Sequence, residues 1–238
     1  MGPLALARPE SEEDRRHVRH FCGHGCVRCG ATVFQYRSVS GSANPDDLIL
    51  LCPACAHALT GQPGAERALR AMRANPLARQ KLFDRRKLPY FNGLPDVTVT
   101  PGVIMQATPV PILFAGVPVL RLDPPEVQGG ATGFSVALGV AGGEPRPIIV
   151  ANEWRPDAAE DGDGDWVFER PANHYVITSR DRSAQLILAI LTPGHWSIEL
   201  LRTHGGGRML EAGLHGTRVD GVARPTPPSK AQLVGMVV

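Results

Sequence analysis

The chain has 238 residues, 43% hydrophobic and 20% charged, with a formal net charge of +2. This length suits one large domain or two small ones, and the balance is that of an ordinary globular protein rather than a collagen, a coiled coil or a wholly disordered chain. No apolar run approaches the roughly 20 residues of a membrane span, and the charged residues 1–20 lack the apolar stretch of a secretory signal, so a cytoplasmic protein with no membrane partner is expected. In chain order, Glu10 to Arg16 is helix-compatible, Ala31 to Val39 reads as a strand, and Gly41 to Asp47 as a polar turn. Leu48 to Leu51 is a short apolar strand, and Pro53 opens a helix over Pro53 to Thr60, with Gly61 and Pro63 as its stop. Gly64 to Ala74 carries an apolar stripe at helical spacing, through Ala65, Ala68, Leu69 and Met72.

From Val97 onward the pattern changes to short β-type runs broken by Gly and Pro. They are Val97–Thr100, Ile112–Ala115, Val117–Leu122, Phe134–Val140, Ile148–Ala151, His174–Thr178, Gln185–Leu191, Trp196–Arg202 and Leu233–Val238. Gly205-Gly-Gly207 reads as a hairpin turn. Such spacing predicts an all-β domain, as a sandwich, barrel or solenoid, although no strict repeat period supports the solenoid. The expected architecture is α+β: a small front domain over residues 1–62, a basic helical connector over 63–95 and a β-rich domain over 96–238. Charge follows the same division, with 14 Lys and Arg against 8 Asp and Glu in residues 1–90 and 11 against 15 in the remainder. The front is therefore the candidate anion-binding half.

All five cysteines lie between positions 22 and 55. Cys26-Val-Arg-Cys29 and Cys52-Pro-Ala-Cys55 are two C-x-x-C pairs 22 residues apart. That spacing suits one tetrahedral Zn²⁺, each pair turning tightly enough to aim two thiolates at an ion about 2.3 Å away. Gly30 tolerates the positive φ that such a turn often needs. A redox dithiol is the competing reading, but it calls for a single pair beside a βαβ unit. Cys22 fits the spacing less well, and His24 and His57 are reserve ligands. A structural zinc would also supply folding free energy to a front domain with little core.

The stretch Phe21-Cys-Gly-His-Gly-Cys-Val-Arg-Cys-Gly30, Phe34-Gln-Tyr36, Leu48-Ile-Leu-Leu-Cys-Pro-Ala-Cys55 and Thr60-Gly61 resembles the HNH, or His-Me finger, endonucleases. Asn75-Pro76, Ala151-Asn-Glu-Trp154 and Asp165-Trp166 are similar to the β-rich tail of a subset of bacterial and phage HNH proteins. The resemblance implies a treble-clef-like ββα unit braced by zinc. It also implies a His ending the first strand to activate water, an orienting Asn in the turn, and a His or Asn on the helix to hold a catalytic Mg²⁺ or similar ion. Here those positions hold Ser38, Asp47 and Ala56. A hydroxyl is a very poor base at pH 7 and a methyl group cannot bind metal, and a positioned base contributes about 10²–10⁴-fold. His57 stands one residue late, a rotation of about 100° on the helix.

The expected function is therefore that of a zinc-binding, HNH-like protein that has lost cleavage and binds nucleic acid or a protein partner. One alternative is an active divalent-ion-dependent nuclease with Asp47 and His57 as rearranged ligands; another is an assembly protein that self-associates through its β domain. Arg67, Arg70 and Arg73 on one helix face, and the run Arg85-Arg86-Lys87, are the candidate phosphate contacts. Asp161-Gly-Asp-Gly-Asp165 alternates carboxylates like a Ca²⁺ loop, but Trp166 and Ala172 stand where an EF-hand needs Gly and Glu, so it reads as an acidic turn.

Overall fold

A computed structural model of the chain describes residues 4–78, 93–127, 130–155, 166–192, 194–224 and 234–237, the last as backbone only. Among the described residues there are three helices and many antiparallel strands, and no helix is long and apolar enough to cross a membrane. The chain divides into two compact units. The first contains residues 4–78 and Asn152–Trp154; the second contains the other described residues.

In the first unit, helix α1 (Glu12–Cys22) is longer than the sequence suggests. Ser11 caps its start, accepting from the Asp14 backbone N–H while Asp14 reaches back to Ser11, and Gly23 ends it in the left-handed region at φ 75°. Strand β1 (Gln35–Ser38) pairs antiparallel with β2 (Leu48–Leu51), Gln35 opposite Leu51 and Ser38 opposite Leu48. Strand β1 starts later than expected because Ala31 turns its carbonyl back to the Cys26 N–H at 2.7 Å. All four residues of β2 are fully buried, as a continuous Leu-Ile-Leu-Leu run requires. Helix α2 (Pro53–Leu59) follows directly, and α3 (Ala65–Ala74) comes next. The α3 helix and residues 75–78 are part of this unit: Leu69 is fully buried and the Leu77 N–H bonds to the Val27 carbonyl at 2.8 Å. Strand β9 (Glu153–Trp154) closes the unit, exchanging backbone bonds with Phe34 from both sides.

In the second unit, β3 (Asp96–Thr100), β4 (Val103–Met105), β5 (Val110–Phe114), β6 (Val117–Asp123), β7 (Gly133–Leu138) and β8 (Arg146–Val150) precede the segment lent to the first unit. After it come β10 (Trp166–Glu169), β11 (His174–Ser179), β12 (Gln185–Thr192), β13 (His195–Gly205), β14 (Arg208–Gly213), β15 (Gly216–Val219), β16 (Val222–Arg224) and β17 (Val234–Val237). The expected runs are all occupied by strands, whereas β4, β10, β14, β15 and β16, which are short or rich in polar residues, gave no periodic signal. One sheet runs β10-β11-β12-β13-β14-β15-β16, and the other contains β17-β5-β6-β7-β8. Strand β13 changes partners along its length: His195–Ser197 pair parallel with β3, and Leu200–Gly205 antiparallel with β14. At the change Gly213 has φ 145° and lies so close that a Cβ would sit 2.3 Å from the Glu199 carbonyl oxygen, so no side chain fits. Gly206 and Gly207, with φ 57° and 70°, make the two-residue turn from β13 to β14 that the glycine run predicts.

Aromatic side chains cluster within the largely aliphatic core of this unit despite their scarcity. Phe134 of β7 stacks on Tyr175 of β11 at 5.7 Å and meets Trp196 of β13 edge-on at 5.6 Å, so side chains from the two sheets share one interior. Gly139 holds the sheets together by backbone: its N–H donates to Thr203 Oγ1 and its carbonyl accepts from the His204 N–H, both at 2.9 Å.

Candidate metal centre

The four cysteines of the two C-x-x-C pairs converge. The sulfurs of Cys26, Cys29, Cys52 and Cys55 all lie within 4.8 Å of one another, although the pairs are far apart in sequence. Each pair is positioned by backbone geometry. In the first, Gly30 donates its N–H to the Cys26 carbonyl at 2.7 Å and takes φ 73°, turning Cys29 back toward Cys26. In the second, Cys52 is the N-cap of α2, its sulfur accepting from the Cys55 N–H at 3.4 Å, with Pro53 at the first helical position. Strand β2 joins them: the Leu50 carbonyl accepts from the Val27 N–H at 2.9 Å, which fixes the first turn against the strand that delivers the second. Below the first turn, Gly25 is packed so closely that a Cβ would lie 2.8 Å from the Ala31 carbonyl oxygen and 3.3 Å from Ala78.

Distances select the chemistry. Cys29 and Cys52 Sγ are 3.8 Å apart, far from the ~2.05 Å of a disulfide. Two thiolates at the corners of a tetrahedron with ~2.3 Å metal–sulfur bonds stand about 3.8 Å apart. The arrangement can therefore hold one metal ion in a closed, four-sulfur shell with no position left for water, which is the structural rather than the catalytic type of site. Protons are shared unevenly in the cluster. Cys29 is pulled far below the ordinary thiol range by hydrogen bonds from Cys26, Cys52 and Cys55. Cys26 also falls, its bond with Cys29 opposing and those with Cys52 and Cys55 prevailing. Cys52 and Cys55 are pushed up, first through their bonds to Cys26 and Cys29. A cation would take the place of the protons that Cys52 and Cys55 retain.

The fifth thiol stands outside the cluster. Cys22 is fully buried, and burial pushes its pKa up to about 12, so it stays neutral. His24 and His57 are also absent from the converging group.

Ser38 and Asp47 do come together. Asp47 Oδ2 accepts from Ser38 Oγ at 2.8 Å and from the Ser40 N–H and hydroxyl, both at 2.9 Å, while Ser38 Oγ accepts from the Gly41 N–H at 2.6 Å. Partial burial raises the Asp47 pKa, but the bonds from Ser40, Ser38 and Ser42 outweigh it and hold the carboxyl below 3.8. A carboxylate this acidic takes no proton from a serine hydroxyl at pH 7, so the pair closes a loop and does not activate a nucleophile. Because the folded-state pKa is depressed, its stabilisation is complete above the unfolded value near 3.8 and disappears as pH falls through the lower folded value. Asp47→Ala should destabilise the first unit by about 1–2 kcal/mol at pH 7, with the difference from wild type shrinking below pH 4; urea titrations at pH 7 and pH 3 measure it. Ala56 is buried and His57 is exposed on α2.

Of the candidate phosphate contacts, Arg67 and Arg70 are exposed, and Arg70 is paired with Glu66 at 2.8 Å. Arg73 is turned inward: its guanidinium lies 4.3 Å from the centre of the Phe21 ring, Nε donates to the Leu48 carbonyl at 3.4 Å, and Nη2 is 3.7 Å from Asp46. It joins α3 to the hairpin, a role that charge spacing along one helix could not reveal. Arg85, Arg86 and Lys87, like the acidic turn at Asp161 to Asp165, lie outside the described residues.

No protein-family model, no curated protein and no solved structure matches the chain.

Proposed function

We propose that the first unit is a zinc-braced, treble-clef-like module of HNH type that binds nucleic acid or a protein partner and does not cleave phosphodiesters. The observation that carries this reading is the four-sulfur cluster built on a hairpin and the helix that follows it. By the resemblance, Ser38, Asp47 and Ala56 occupy the sequence positions at which the HNH reaction needs a base, its orienting partner and a metal ligand. Asp47 is engaged by three donors, and it and His57 belong to no converging group of ligands among the described residues, so the rearranged nuclease has no support in the geometry.

The electrostatics narrow the binding surface. Residues 4–78 and 152–154 hold 9 Arg against 8 Asp and Glu, which is close to neutral. Phosphate affinity would then rest on Arg67 and Arg70 together with the run that includes Arg85, Arg86 and Lys87, and it would fall steeply with salt.

The test is metal content per chain, plasmid nicking in Mg²⁺, Mn²⁺ and Ni²⁺, and a duplex DNA titration at two salt concentrations. The expected result is one tightly held zinc, nicking no faster than in a His57→Ala variant, and salt-sensitive DNA binding. A metal-free folded chain, or nicking that His57→Ala abolishes, overturns the reading.

A further inference from the structure

At one end of the two sheets in the second unit lies a half-open cavity of about 390 Å³. That volume falls within the roughly 300–1,000 Å³ range of small-molecule sites. Its floor is Leu138 and Val140, and its walls include Glu144, Arg146, Trp166, Arg180 and Asp181. The polar groups of this lining divide into two classes. The carboxylates brace the walls: Glu144 accepts from the Gly206 N–H at 3.0 and 3.1 Å, and Asp181 accepts from Ser179 Oγ at 2.6 Å and from the Ser183 hydroxyl and N–H at 2.7 and 3.1 Å. The Ser183 hydroxyl in turn accepts from the Ala141 N–H at 3.0 Å, tying the loop after β7 to the turn after β11. The walls are therefore held before any ligand arrives.

The cations and the indole are left over. Arg146 and Arg180 are exposed, and neither guanidinium has a hydrogen-bond or ion-pair partner among the described residues. Trp166 lines the cavity half-exposed, whereas Trp154 and Trp196 are buried. Trp166 is opposite Ser179 in the β10–β11 ladder, and Trp166, Ser179 and Arg180 all line the cavity. What the cleft offers is an aromatic face, an apolar floor and two guanidiniums. We infer that this cleft binds a nucleotide, its base stacked on Trp166 and its phosphate held by Arg146 and Arg180. Stacking on an aromatic side chain combined with guanidinium–phosphate pairing is the usual chemistry for an unpaired nucleotide.

The nucleotide could be free or the unpaired end of a strand, and the probes separate these sources. Intrinsic fluorescence, which Trp166 dominates in its response to solvent quenchers, is followed during titration with AMP, adenosine, inorganic phosphate and a 5′-phosphorylated octadeoxyadenylate. Calorimetry repeats the titrations on Trp166→Leu, Trp166→Phe and Arg146→Gln/Arg180→Gln, each checked for native circular dichroism. The expected result is saturable AMP binding at least tenfold tighter than adenosine or phosphate alone. It should be weakened at least tenfold by Trp166→Leu and by the double arginine variant, and retained within threefold by Trp166→Phe. An octanucleotide at least tenfold tighter than AMP assigns the cleft to a strand; equal or weaker binding assigns it to the free nucleotide. Absence of saturable AMP and oligonucleotide binding at 10 mM probe, or binding indifferent to Trp166→Leu in a folded variant, overturns the inference. Neither outcome bears on the metal centre, whose test is zinc content.

Discussion

Replacing Cys52 with serine should abolish zinc retention and unfold the first unit while leaving the β-rich unit folded. Cys52 acts three times over: as a ligand candidate, as the N-cap of α2, and as the residue that carries β2 into the helix. Serine is a good cap, so the helix start survives the substitution. What disappears is the thiolate, and with it a closed shell whose apparent binding free energy in small zinc domains is about 10–16 kcal/mol. Stripping wild type with a chelator should have the same effect, because the apo cluster keeps sulfurs within 4.8 Å that repel one another as they ionise. The sign of the pH effect follows from the protons on Cys52 and Cys55: metal must displace them, so retention weakens as pH falls. Calorimetry with and without chelator at pH 6 and pH 8, alongside zinc content, checks this. A metal-dependent transition should vanish in the variant and be lost more readily at pH 6. A single unchanged transition would show that the hairpin and α1 hold the unit without metal. Cys22 gives an internal control, since a buried neutral thiol should resist alkylation until that transition occurs.

In the second unit the largest loss should come from Trp196→Ala. The side chain is fully buried and meets Phe134 edge-on, at the place where the two sheets exchange side chains. Truncation removes the transfer free energy of the indole and leaves a void, at a cost of about 3–5 kcal/mol. Trp196→Phe should cost less than alanine, because the phenyl ring fills most of the space that alanine would leave empty. Trp196 Nε1 is also buried with no hydrogen-bond partner among the described residues, so phenylalanine gives up no polar contact and keeps an aromatic edge against Phe134. Urea unfolding of the three proteins distinguishes them. Equal losses for alanine and phenylalanine would mean that the phenyl ring does not refill the space against Phe134.

The four-cysteine cluster was legible in the sequence because C-x-x-C is a local device: each pair makes its own turn, and Gly30 marks the first. The hairpin and α2 were legible for a similar reason, since an all-apolar four-residue run and a Pro just after a capping residue are signals within one element. Strand β1 is shorter than its sequence pattern suggests because Ala31 serves the Cys26 turn, a demand that alternation in sequence does not carry. Arg73 read as one of three like charges on a face, and only packing against Phe21 and Leu48 turns it inward.

By itself the sequence determined the places where chemistry is encoded within a few residues: the four sulfurs, the turn glycines, the helix caps and the apolar runs. Only the tertiary structure decided which distant residues meet. It brought the two cysteine pairs within one coordination shell, lent Asn152–Trp154 to the first unit, split β13 between two partners, and put Phe134 against Trp196. The physical reason is range. Turn and cap preferences act through neighbouring backbone groups, whereas long-range pairing depends on how buried surfaces fit once chain entropy has been overcome.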